Sequence, residues 1–146
     1  MKRDMVCVLV GLLLGLFLVL GFLFDPAYVY GQELTTEERE LIAKLVKAEA
    51  TGESELGQRL VIDTVLNRVE SESFPNTVSE VVYQKNQYST PSNILDDSLL
   101  NLVLEEELNK NNNEVIFFNK NYYPKYGEPL FVEGKHYFSK ERKDEQ

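Results

Sequence analysis

The chain has 146 residues, with 24 acidic and 15 basic side chains and a net charge of −9. That length suits one domain, and that charge argues against nucleic acid or an anionic lipid surface as a partner. One cysteine, Cys7, and one histidine, His136, leave no disulfide framework and no histidine-rich zinc site, so neither a metal nor a cofactor is called for.

The N-terminus reads Met1-Lys2-Arg3, followed by an apolar run from Met5 to Phe24. This is the pattern of a signal peptide cut near Val29-Tyr30-Gly31, or of an uncleaved membrane anchor. Either assigns residues 1–31 to targeting and residues 32–146 to an exported domain, extracellular or held on the outer membrane face. Cys7 sits near the start of the apolar run rather than after it, which argues against lipid attachment. Gly11 and Gly15 form a GxxxG pair of little weight. The acidic balance belongs to the exported part, because Lys2 and Arg3 offset Asp4 and Asp25. Attraction of an anionic polymer at long range is therefore not expected, and recognition of a glycan would be local and geometric.

Thr35 and Glu38 have the spacing of a capping box and predict a helix running to about Ala50. Its apolar stripe is Leu41, Ile42, Leu45 and Val46, and the next member of that stripe is Glu49. A carboxyl thus stands where the pattern asks for leucine, in the last turn before Gly52. Burial and the negative end of the helix dipole both disfavour an anion there, which suits a general acid. The other reading of the same pattern has Glu49 at the edge of the stripe, reaching solvent or pairing with a lysine or Arg68.

A second helix is predicted from Ser54 to Val69, with an apolar face of Leu56, Leu60, Val61, Val65, Leu66 and Val69, packed on the first as a hairpin. Phe74-Pro75-Asn76 breaks the pattern, and Thr77 with Glu80 opens a short helix. Gln84 to Asn93 reads as a polar, aromatic loop, and Leu95 to Leu108 as a further helix. Val115-Ile116-Phe117-Phe118 reads as a strand, and Tyr122 to Pro129 as a tyrosine-rich loop. Leu130-Phe131-Val132 and His136-Tyr137-Phe138 flank a Gly134 turn as short extended segments. The tail Lys140 to Gln146 reads as frayed. The fold class is α+β, mostly α, with a small C-terminal β element.

No Walker loop, GxGxxG or HExxH motif is present, and no nucleophile elbow accompanies His136. A lone histidine beside Tyr137 and Phe138 reads as a packed residue. Carboxylates remain, and glycan cleavage is a reaction that needs little else.

Ala48-Glu49-Ala50-x-Gly52-Glu53-x-x-x-Gly57-Gln58, then Val65-Leu66-Asn67-Arg68-Val69, Phe74-Pro75-Asn76-Thr77-Val78 and Gln87-Tyr88-Ser89 resemble the SleB/CwlJ family of cell-wall hydrolases. Phe117-Phe118-Asn119 and Gly134-x-His136-x-Phe138 match the C-terminal pattern of that family, so the resemblance spans about Glu37 to Phe138. It implies a compact lysozyme-like domain acting on peptidoglycan glycan strands, with spore cortex as a family substrate. In the SleB branch the reaction is lytic transglycosylation between N-acetylmuramic acid and N-acetylglucosamine, and the family's catalytic glutamate maps onto Glu49. Gln87, Tyr88, Ser89, Asn119 and His136 are the matched candidates for substrate contact.

Glu53 is a possible second carboxylate, with a buried pair to Arg68 or a helix N-terminal role as its alternative. Asn67-Arg68 reads as a brace for the helix that carries Glu49. Phe118, Tyr122 and Tyr123 are candidates for stacking on sugar rings, with core packing the favoured alternative for Phe118. The chain departs from the family at Ala48, where glycine is common, at Tyr88, where phenylalanine is preferred, and in containing no tryptophan. The alternative functions are a muramidase hydrolase, an N-acetylmuramoyl-L-alanine amidase, or a non-catalytic envelope-binding protein that keeps the fold. A calcium-binding module is a further option, but Asp96-Asp97 and Glu105-Glu106-Glu107 read as solvated helix ends and faces without an EF-hand glycine.

Overall fold

The computed structural model describes residues 33–142. The apolar leader, Cys7, the Gly11/Gly15 pair and the processing position lie outside the described residues, as do residues 143–146. Among the described residues no helix is long and apolar enough to cross a membrane.

Helix α1, Thr36–Ala50, begins on the expected capping box. Thr35 Oγ1 accepts the Glu38 N–H at 3.2 Å, and Glu38 Oε2 accepts the Thr35 N–H at 2.9 Å. Two of the helix's orphan donors are thereby satisfied locally, without tertiary help. Gly52, at φ +84, turns the chain in the left-handed conformation open to glycine. Ser54 then caps α2, Glu55–Glu70, accepting the Gly57 N–H at 3.0 Å.

Helix α2 is the centre of the molecule. Every residue from Leu60 to Arg68 is buried, and the helix packs against α1, α3 (Val78–Val82), α4 (Asp97–Leu108) and the first strand. A helix covered on all sides can bury polar residues only if they are bonded internally. Leu56, predicted on the buried face, is instead 46 % exposed.

Helix α4 starts later than the leucine pattern suggests. Asp96 is its N-cap, accepting the Ser98 N–H at 3.1 Å, and its carboxylate meets Lys47 at 2.9 Å. This ion pair and the Ser98 contacts hold Asp96 well below the usual carboxylate range. Near the other end of the helix Glu106, read as part of a solvated face, is fully buried and ion-paired to Arg59 at 2.7 Å.

Three antiparallel strands follow, β1 (Phe117–Lys120), β2 (Gly127–Glu133) and β3 (His136–Glu141), in the order β1-β3-β2. Pairing begins two residues later than the predicted first strand, since Val115 and Ile116 are spent in the core as the chain enters the sheet. Strands β2 and β3 are longer than predicted, and the Gly127–Pro129 part of the tyrosine-rich segment already pairs. Lys140 and Glu141, assigned to a frayed tail, are in β3, with Lys140 between Glu114 and Glu128. Gly127 is required by close approach, as a Cβ there would stand 2.5 Å from that of Ser139.

The main core joins α1, α2, α3 and α4 around Ile42, Leu45, Val61, Val65 and Val103. A smaller cluster, Leu60, Val115 and Phe138, lies under the sheet. Phe118 packs against both. The architecture is four helices with a small three-stranded sheet, the mostly α form of the α+β class.

Candidate active site

A cavity of about 650 Å³ opens between the end of α1, the loop before Thr90, and strand β1 with the loop that follows it. Glu49 sits in its wall, on the penultimate residue of α1, and is 8 % exposed. The helical stripe has thus placed a carboxyl at the edge of the core, buried yet lining the cavity. It is the one carboxylate among the lining residues.

Two groups from distant parts of the chain face that carboxyl. Oε1 accepts a short hydrogen bond from the Ser89 backbone N–H. Oε2 lies 3.9 Å from Lys120 Nζ, which is half exposed. Ser89 therefore contributes through its main chain rather than its hydroxyl, and the loop Gln87-Tyr88-Ser89 orients the carboxyl. Gln87 is exposed on the rim, and Asn119 lines the wall on β1.

Tyr88 turns inward. Its hydroxyl is buried without a hydrogen-bond partner, and burial pushes its pKa up to about 12, Arg68 opposing and Glu49 adding to the shift. Its ring stands 5.9 Å from that of Phe118 and 4.9 Å from the Arg68 guanidinium. Arg68 is 3 % exposed and lies over three rings, those of Phe74, Tyr88 and Phe117. Burial lowers its pKa, with Tyr88 partly opposing. Its Nε donates to the Ile116 carbonyl at 2.7 Å, while Nη1 has no partner. This cation is held by π faces and a carbonyl rather than by a carboxylate.

Asn67 makes the parallel contact one residue earlier, donating to the carbonyls of Asn112 at 2.9 Å and Val115 at 2.8 Å. The pair was expected to brace the helix carrying Glu49. It braces the approach to β1 instead, and so positions the opposite wall.

Glu53 is not in this cavity. Its carboxylate accepts the Lys135 N–H at 3.1 Å on the β2–β3 turn, and a Cβ on Gly134 would stand 1.9 Å from Glu53 Oε2. Neither the second-carboxylate role nor the pair with Arg68 is formed. Glu53 fastens the sheet to the helix hairpin, alongside Ser54, which donates to Glu133 at 2.7 Å.

His136 is also away from the cavity surface. It is fully buried, 4.9 Å from the Phe118 ring, with neither ring nitrogen partnered. Burial lowers its pKa, reinforced by Lys120 and opposed by Glu53 and Glu49. The structure places it beneath the wall as a packing residue, where a sugar cannot touch it. Among the described residues no three His, Cys, Asp or Glu side chains converge as a metal-ligand set.

The outer wall is aromatic and basic. Tyr122 and Tyr126 are 58 % and 74 % exposed, and both line the cavity with Lys120 and Lys125. Tyr123 points elsewhere, edge-on to Tyr137 at 5.1 Å. Lys120, Lys125 and Tyr126 had no signal in the sequence beyond the tyrosine-rich composition of their loop.

Residues 52–139 match the family model described as Cell Wall Hydrolase. The chain belongs to the cell wall hydrolase family. The match begins at residue 52 and so does not include Glu49. The spore cortex-lytic enzyme of Bacillus cereus is 46 % identical over 50 residues, which cover 34 % of this chain and 19 % of that protein. The matched stretch thus spans about a fifth of the curated relative. Among solved structures, the catalytic domain of the Bacillus cereus SleB protein superposes with a TM-score of 0.69 at 26 % identity, covering 75 % of this chain and 94 % of that one. The catalytic domain of the germination-specific lytic transglycosylase SleB from Bacillus anthracis gives 0.65 at 25 % identity, covering 75 % and 99 %. These two SleB catalytic domains extend the likeness from the sequence blocks to the arrangement of helices and sheet.

Proposed function

We propose that this chain is an exported lytic transglycosylase that cuts peptidoglycan glycan strands between N-acetylmuramic acid and N-acetylglucosamine, with Glu49 as acid and then base. The observation that carries this reading is that one buried carboxylate, and no second one among the described residues, lines the large cavity. Hydrolysing glycosidases generally use a pair of carboxyls. A transglycosylase can work with one, because the substrate supplies the nucleophile.

In the forward step the Glu49 carboxyl donates its proton to the glycosidic oxygen as the muramic acid C1–O bond breaks. Positive charge develops at C1 and the ring oxygen. The resulting Glu49 carboxylate then accepts the proton of the C6 hydroxyl, whose oxygen closes on C1. The product is a 1,6-anhydro end, Glu49 is protonated again, and no water is consumed.

Ser89 N–H and Lys120 face the carboxylate formed midway, a preorganised pair of positive dipole and charge. Tyr122 and Tyr126 offer flat apolar faces for sugar rings, and Gln87 and Asn119 offer amides to sugar hydroxyls. The names of the structural neighbours, one of them a lytic transglycosylase, support the same reaction. Export rests on the basic Met1-Lys2-Arg3 start and the apolar run after it; localisation at the cell wall or on the outer membrane face follows from that.

The test uses the full chain, as wild type and Glu49→Gln, on purified vegetative peptidoglycan and spore cortex, with soluble products read by mass spectrometry. Anhydro-muramic ends from the wild type and none from the variant are expected. Hydrated reducing ends would make the enzyme a hydrolase, and no release from either material would overturn an autonomous cleaving function.

A further inference from the structure

The charge lining the cavity runs against the charge of the chain. Acids outnumber bases 24 to 15 in the sequence. Around the cavity the count reverses, Glu49 being the one acid against Arg68, Lys120 and Lys125.

Of the six other described lysines, four are absorbed by this acidic surface, while Lys85 and Lys135 face no carboxylate and lie outside the cavity. Lys44, Lys47, Lys110 and Lys140 each face a carboxylate. Lys125 faces none among the described residues, and Lys120 has Glu49 alone, at 3.9 Å, beyond hydrogen-bond length. In a chain with surplus acid, cations left unneutralised on one concave wall are available to an incoming anion. Their neighbours Tyr122 and Tyr126 present exposed rings to the same space. Ring faces beside ammonium groups complement a sugar that carries an acidic arm.

We propose that Lys120 and Lys125 form a carboxylate subsite beside Glu49, so that the preferred substrate is glycan whose muramic acid substituents end in free carboxylates. This deepens the reading of the cavity as a glycan site and rests on it. The subsite seats the acidic arm against the β1 wall while the sugar ring lies across the tyrosines. Neutral strands of the same length lose this contact and keep the rest. The chain's global charge opposes approach of an anionic polymer, so selection acts at contact distance and weakens with salt.

The test compares peptidoglycan strands bearing peptide stems with the same strands after carbodiimide coupling to methylamine, which turns each carboxylate into a neutral amide. Binding is measured with full-chain Glu49→Gln, which does not degrade the probe, and with Lys125→Gln and Lys120→Gln in that background. Circular dichroism checks that each variant is folded. We expect about fivefold tighter binding to the carboxylate form at low salt, in line with a pair of partly exposed ion pairs. Either lysine change should reduce that preference to twofold or less. Equal binding of both forms, or a preference that survives both lysine changes, overturns the subsite. Product release by wild type is read separately: failure there removes the cleavage reaction, whereas the binding preference decides the subsite.

Discussion

Among the described residues acid is buried in two places, and they are built differently. Glu49 lies at the edge of the core with a cavity in front of it, a backbone N–H on one oxygen and a lysine at reach of the other. Asp63 and Glu106 lie fully buried between α2 and α4, with no cavity against them among those described. There, burial and the charge of Glu106 push Asp63 up to about 8. Burial alone would raise Glu106 as well, but its bonds to Asp63, Arg59 and Asn111 hold it below its ordinary value. The opposed shifts favour one proton shared by the pair at neutral pH. Asp63 Oδ2 accepts the Asn112 N–H at 2.8 Å, and the buried Oδ1 finds no donor. A displaced pKa by itself does not mark an active site. What separates the two places is access: one carboxyl meets a space that a substrate can enter, the other a wall of protein.

Exchanging each acid for its amide should separate these roles most sharply. Glu49→Gln removes the transferable proton, and we expect a loss of activity of about a thousandfold with stability changed by less than about 1 kcal/mol. Product release and thermal unfolding measured on the same sample decide this. A variant that unfolds instead would make Glu49 a structural acid like Asp63.

Arg68→Ala touches the cavity from beneath. It strips a buried cation from three ring faces and orphans the Ile116 carbonyl. The expected cost is about 3 kcal/mol in chemical denaturation, with activity falling in the folded fraction because β1 and Tyr88 both lean on that side chain.

Asp63 should instead write itself into the pH profile of stability. Its folded pKa lies above its ordinary 3.8, so the folded state holds the proton more tightly than the unfolded chain. The associated stability is complete below about pH 4 and is lost as pH rises through about 8. Glu106 acts in the opposite sense and only in the acid range, where its lowered pKa costs stability as pH falls. Asp63→Asn should flatten the decline between pH 4 and 8 in thermal melts and leave glycan cleavage within about twofold. An unchanged slope would place the proton elsewhere.

His136→Leu is the mildest change. Both ring nitrogens lack partners, so an apolar side chain of similar size should cost less than about 1.5 kcal/mol. Since burial lowers the histidine's pKa from 6.5, the wild type loses stability as pH falls through that value, and the variant should lose less. A steep loss of activity would return His136 to the group of substrate-directed residues.

What the sequence made legible was local or periodic. The Thr35–Glu38 capping box, the Gly52 turn and the stripe that ends on Glu49 all depend on neighbours within a few residues, and the structure reproduces them. The late start of α4 was hidden because Leu95 continues the apolar pattern although Asp96 takes the cap. The partners of Glu49 were hidden for a different reason. Ser89 and Lys120 reach it across 40 residues and more, through a loop that presents its backbone and a strand whose register is set by β3. Glu53 misled because its place in the family block says nothing of which way the carboxyl turns. It turned to the sheet.

The strand order carries one more consequence. β3 lies between β1 and β2, so the strand made last is the one that the other two pair with. During synthesis, Glu49 and its helix are complete while the wall bearing Asn119 and Lys120 still has no strand to align on. The cleft is thus closed at its rear by residues 136–141, and a chain shortened by that one strand keeps its glutamate but has no formed groove.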